Sequence, residues 1–188
     1  TTIRLKEFLA QNQVTLNTAV HFFWALILSK HSDERDIVFG SVVSGRPPEI
    51  EGVDQIVGMF INTIPVRLTF SEENTLLNQL KQFQDSFYAN IPHHYANLGD
   101  ITSAAIPGKL LINNILTFEK ESDESFDLTR GAESHYQIKN EYVFESTNFN
   151  LNFIVKPING LSITAKYNFA CYSEEKINKL ASDWNAVI

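Results

Sequence analysis

Two adjacent histidines, His93 and His94, are the first residues in this chain that could move a proton or hold a metal ion. Neighbours on a helix point about 100° apart, and no third ligand stands at a useful spacing, so the pair forms no metal site. It reads as surface or structural histidine. From Gly40 to Gly45 the run Gly-Ser-Val-Val-Ser-Gly invites comparison with the G-x-S-x-G nucleophile turn, yet neither Ser41 nor Ser44 has glycines two residues away on both sides. A serine nucleophile also needs a base, and no histidine stands near either serine in sequence, so Ser44 reads as a turn residue. No Gly-rich phosphate loop, Cys/His metal spacing or spaced pair of catalytic carboxylates is visible. No catalytic residue and no metal ligand is assigned.

Four further residues carry possible chemistry. Arg46 is always charged, so it must reach water or an acid such as Glu49, Glu51 or Asp54. Its plainest role is to tie down its own loop. Asn62 interrupts an apolar strand, and burying an amide without partners costs roughly 1–3 kcal/mol, so something must compensate it. A backbone hydrogen bond at a bulge is one solution. Arg67, at the strand end, is expected to pair with a surface carboxylate, and Cys171 to pack in the core.

The elements that would position these residues can be read from periodicity. Ile37 to Val43 and Val57 to Leu68 are β-rich apolar runs. Pro47-Pro48 stiffens the connector between them, and Gly45 and Gly52 permit turns. Along the second run Phe60, Asn62, Ile64, Val66 and Leu68 share one face, while Pro65 predicts an edge strand or a nearby bulge. Helices are expected over Thr2 to Gln11, after the cap Thr15, after a cap at Asn74 with Leu76, Leu80, Phe83 and Phe87 as its stripe, and after Ser173. Pro92 should end or kink the third helix. Lys109 to Phe118 is a further strand candidate, and Glu119 to Asn140 a polar surface excursion. Alternation over Phe149 to Val155 and Leu161 to Phe169, joined at Asn159-Gly160, predicts a hairpin with one wet face. Tyr142 to Glu145 would precede it in a mixed or antiparallel sheet.

The chain has 188 residues and 44% hydrophobic content, which suits one α/β core. A formal net charge of -7 offers no basic surface for nucleic acid. The longest apolar run, Phe22 to Leu28, is too short to span a bilayer, so no membrane is expected. A lone cysteine excludes a disulfide framework and fits the reducing cytoplasm, taken here as the expected location. Beginning at Thr1 suggests a fragment of something larger.

The segments Val38-Phe39-Gly40, Ser44-Gly45-Arg46-Pro47 and Val57-Gly58-Met59-Phe60-Ile61-Asn62-Thr63-Ile64-Pro65-Val66-Arg67 resemble, in order and spacing, a signature of nonribosomal peptide synthetase condensation domains. Lys109 to Phe118 and Glu145 to Leu151 resemble later stretches of the same family. The resemblance implies a chloramphenicol-acetyltransferase-like α/β lobe, a mixed β-sheet packed against helices, spanning 1–188 as the C-terminal half of the domain. The family's HHxxxDG motif belongs to the other half. Here His93-His94 is followed by Leu98 where that motif has Asp, and His94 to Asp100 aligns with the later (H/N)QDYPFE motif instead.

The activity implied is peptide-bond formation between carrier-bound acyl or peptidyl and aminoacyl thioesters. This lobe would supply a substrate-cleft wall at Ser44, Gly45, Arg46, Asn62 and Thr63, and a carrier docking surface, while the catalytic histidine is absent. The implied partners are the N-terminal lobe, donor and acceptor peptidyl carrier proteins and an adenylation domain. Phosphopantetheine would arrive on the carriers, with no cofactor bound by the chain itself. Epimerization and cyclization domains share this lobe and stay open as alternatives, as does a non-catalytic interaction module. The resemblance also implies that the surface meeting the other lobe is apolar.

Overall fold

The computed structural model describes residues 2–46, 50–119, 147–157 and 160–187. Five strands form one mixed sheet: β1 (Asp36–Ser44), β2 (Ile61–Thr69), β3 (Asn114–Phe118), β4 (Leu151–Lys156) and β5 (Ser162–Tyr167). Their order is β2-β1-β3-β4-β5, with β1, β3 and β4 parallel and the outer strands antiparallel to their neighbours. Pro65 therefore lies on an edge strand, where its missing N–H costs no ladder bond. The register from Asp36↔Thr69 to Ser44↔Ile61 is one-to-one, so no bulge compensates Asn62.

Helices α1 (Thr2–Gln11), α2 (Leu16–Ser32), α3 (Leu76–Ala89), α4 (Leu98–Ala105) and α5 (Glu174–Val187) accompany the sheet. Thr15 caps α2 as expected, accepting from Thr18 N–H. The α3 cap is Thr75 rather than Asn74, one residue later, because its hydroxyl accepts from Asn78 N–H. Helix α2 is apolar almost all round and is the central packing element, touching α1, α3, α5, β1 and β3. Under it lie Ile37 and Phe39 of β1, Val66 and Leu68 of β2, Leu116 of β3 and Phe153 of β4. The rings of Trp24, Phe153 and Trp184 meet at centroid distances of 4.4 and 5.6 Å.

Several expectations need correction. The second strand starts at Ile61, and Val57 and Met59 are 99% and 100% exposed, not part of a buried strand. Lys109 to Asn113 is not strand. In β4 all of Leu151 to Val155 is buried, so the predicted wet face does not exist there. Its polar Asn152 accepts a hydrogen bond from Thr117 Oγ1 (3.1 Å) instead of water. Cys171 is exposed, in the turn before α5, rather than in the core. Pro47-Pro48, Asn159, Tyr142 to Glu145 and nearly all of the polar excursion lie outside the described residues.

Candidate functional site

The C-terminal end of β1 and the start of β2 bring all five cleft candidates close together. Gly45 N–H donates to the Phe60 carbonyl (2.6 Å), closing the neck of a loop that runs out and back between the two strands. A Cβ on residue 45 would stand 2.5 Å from that carbonyl oxygen, so glycine is required by close approach. Arg46 then braces the loop from within. Its Nη1 donates to the carbonyls of Val53 and Ile56, the latter at 3.2 Å, and the guanidinium lies 4.1 Å from the Phe60 ring centroid. No carboxylate among the described residues pairs with it. Three loop-closing contacts thus fall to one planar cation, a geometry that lysine cannot copy.

The braced loop holds its apolar side chains outward. Ile50, Ile56, Val57, Met59 and Ile61 are all exposed, and Val53 alone in this stretch is buried. Ser44 ends β1, exposed, opposite Ile61.

Asn62 and Thr63 project to opposite faces of the sheet. Asn62 Nδ2 donates to the carbonyls of His94 (2.8 Å) and Ala96 (2.9 Å), and its Oδ1 accepts from Thr63 N–H (2.9 Å). Backbone hydrogen bonds therefore compensate the amide, without a bulge. The Thr63 methyl packs towards Gly40, where an added Cβ would also meet Ile112 and Ile115 at 2.7 Å. Arg67 lies outside the site, bidentate to Asp36 at 2.8 and 2.7 Å, and holds the Asp36 carboxyl below its ordinary range.

His93 is exposed and His94 half-buried; burial lowers the His94 pKa, and its Nε2 is enclosed without a partner. Among the described residues no cluster of His, Cys, Asp and Glu could hold a metal, and no helix is long and apolar enough to cross a membrane.

Sequence reasoning missed a histidine–serine pair. His21 is 1% exposed on α2, with Nδ1 2.8 Å from the Asn17 carbonyl and Nε2 2.7 Å from Ser41 Oγ on β1. Nδ1 must carry the proton to donate to a carbonyl, so Ser41 donates to Nε2. Burial pushes the His21 pKa down to about 4. Proximity alone would suggest a nucleophile and its base, but Ser41 is 0% exposed and no substrate reaches it. The pair is a buried clip between helix and strand, three residues before Ser44. Two polar residues, one in an apolar helix and one in an apolar strand, were the signal available.

A cavity of about 320 Å³ lies at the other end of β1, between α2, α5 and the first residues of β1, β3 and β4, and contains none of the five candidates. A family model, "Condensation domain", matches residues 1–188. Surfactin synthase subunit 3 of Bacillus subtilis (strain 168) is 37% identical over 94% of this chain and 14% of that protein. Tyrocidine synthase 3 of Brevibacillus parabrevis is 33% identical over 100% of the chain and 3% of its relative. The chain thus spans a small part of the synthetases it matches. Among solved structures, "The crystal structure of CT mutant" superposes with a TM-score of 0.78 at 26% identity, covering 92% of this chain and 40% of that one. The first condensation domain of the calcium-dependent antibiotic synthetase, in complex with a substrate analogue, shares the fold with a TM-score of 0.71 at 15% identity, over 99% of this chain and 40% of its own. The chain has the chloramphenicol-acetyltransferase-like fold and belongs to the condensation-domain family.

Proposed function

We propose that the chain is the C-terminal lobe of a condensation domain and forms one wall of the crevice where a carrier-bound acyl or peptidyl thioester meets the amine of an aminoacyl thioester. The observation that carries this reading is the Arg46-braced loop, which projects Ile56, Val57, Met59 and Ile61 into solvent from the strand ends. Rigid presentation of apolar side chains is costly unless another surface covers them. The other lobe of the domain is that surface. Ser44, Gly45, Arg46, Asn62 and Thr63 then border the joint between lobes.

The proton-handling histidine comes from the other lobe, positioned to orient or deprotonate the attacking amine. This chain contributes shape, a dry wall and part of the docking surface for donor and acceptor carrier proteins. Phosphopantetheine enters on those carriers, and the adenylation domain of the synthetase supplies the aminoacyl group. Without its partner lobe the chain is inactive.

The test is titration calorimetry of this chain against the separately produced other lobe. Binding is expected, and Val57→Asp with Met59→Asp should weaken it by at least about tenfold, since each buries an unpaired charge at the joint. Affinity unchanged by both substitutions would contradict the reading.

A further inference from the structure

The hydrogen bonds of Asn62 all go to backbone. Both of its amide protons reach carbonyls of a distant turn, at His94 (2.8 Å) and Ala96 (2.9 Å), while its oxygen accepts from Thr63 N–H. This leaves no donor for a substrate. The turn it grips leaves α3 through the short 3-10 segment Ile91–His93, whose residues are all exposed, and ends at Asn97, which caps α4 through Gly99 N–H (2.7 Å). Gripping Ala96 therefore fixes where α4 begins.

The closed turn has a cost. His94 Nε2 is enclosed with no hydrogen-bond partner, and opening the turn would return it to water. Two donated hydrogen bonds from one amide hold the turn shut against that release. The neighbouring side chains, Tyr95 at 79% exposure and the solvent-facing His93, face outward from it.

We propose that Asn62 is a positioning residue, a clasp that sets the His94–Asn97 turn and the start of α4 beside the crevice and so shapes the crevice without touching substrate. This rests on the condensation-lobe reading above. Asn62→Asp in the intact condensation domain is the direct test, because it keeps the oxygen and removes both donors.

Amide hydrogen exchange across residues 91–97 should rise roughly 10- to 30-fold, the equivalent of two ordinary hydrogen bonds, while β1 stays protected. The KM for a carrier-bound thioester should rise about tenfold with kcat within about twofold. Adding His94→Leu to Asn62→Asp should restore part of the protection, since the closed turn then buries no unpaired nitrogen. Unchanged exchange, no restoration by His94→Leu, or a fall in kcat with both KM values unchanged would each overturn the proposal. Asn62→Ala is judged by the same readouts if the Asp variant does not fold. A wild-type domain that forms no peptide bond would refute the condensation reading, and exchange alone would then decide the clasp.

Discussion

At His21 the protein holds an ionisable ring in its core and keeps it neutral. Its pKa falls from 6.5 to about 4 through burial, so the unfolded chain binds the proton more readily than the folded one. The stability this neutral ring contributes is present above pH 6.5 and is lost as pH falls towards 4, amounting to about 3 kcal/mol. Urea midpoints at pH 7.5 and 4.5 should therefore fall more steeply for the wild type than for His21→Gln; parallel slopes would refute this. Subtracting the variant also removes the acid loss expected from Asp36 and Asp183, whose pKa values are lowered by their basic partners. Ser41→Ala should cost about 1–3 kcal/mol at neutral pH, because it strands Nε2 without a donor. At Arg46, replacement by Lys loses the planar stack on Phe60 that aims Nη1 at the two carbonyls. Limited proteolysis within residues 50–60 should then accelerate several-fold while the global urea midpoint shifts little.

The strands and helices show why some of the architecture could be read directly and some could not. Thr15 as a cap, Pro65 on an edge strand and the stripe on α3 follow from local chemistry and appear in the structure, except that Leu76, in the first turn of the stripe, is 54% exposed while Leu80, Phe83 and Phe87 are buried. Strand β4 did not yield to the same reasoning, because alternation with Asn152 looks like a wet face until Thr117 on β3 supplies its partner. Val57 to Phe60 has strand composition but no strand, since its side chains serve an outward surface rather than a ladder. His21 and Ser41 were illegible as a pair, standing 20 residues apart and joined only by the packing of α2 on β1. Within the candidate site, strand alternation already set Asn62 and Thr63 on opposite faces, but nothing local shows that Asn62 reaches the carbonyls of His94 and Ala96, 32 and 34 residues further on. Glycine substitutions test the neck. Gly45→Ala, which drives a Cβ to 2.5 Å from a backbone oxygen, should cost about 1–3 kcal/mol. Gly52→Ala, at φ 72 with open space around it, should cost about 1 kcal/mol through backbone strain alone. A larger loss at Gly52 in denaturant titrations would contradict the loop geometry.

For the whole lobe, the exposed row from Ile50 to Ile61 makes the isolated chain prone to associate with itself through the surface proposed to meet its partner. Sedimentation velocity should show concentration-dependent association that Val57→Asp with Met59→Asp abolishes, and a clean monomer at high concentration for the wild type would count against it. The same surface links the loop, the strand ends and the proposed division of labour, in which shape lies on this chain and proton transfer on the other. The most direct test of that division is a single-turnover assay with loaded donor and acceptor carrier proteins, run with this chain, with the other lobe, and with both. Peptide product from the mixture alone is the predicted result, and product from this chain by itself would contradict it.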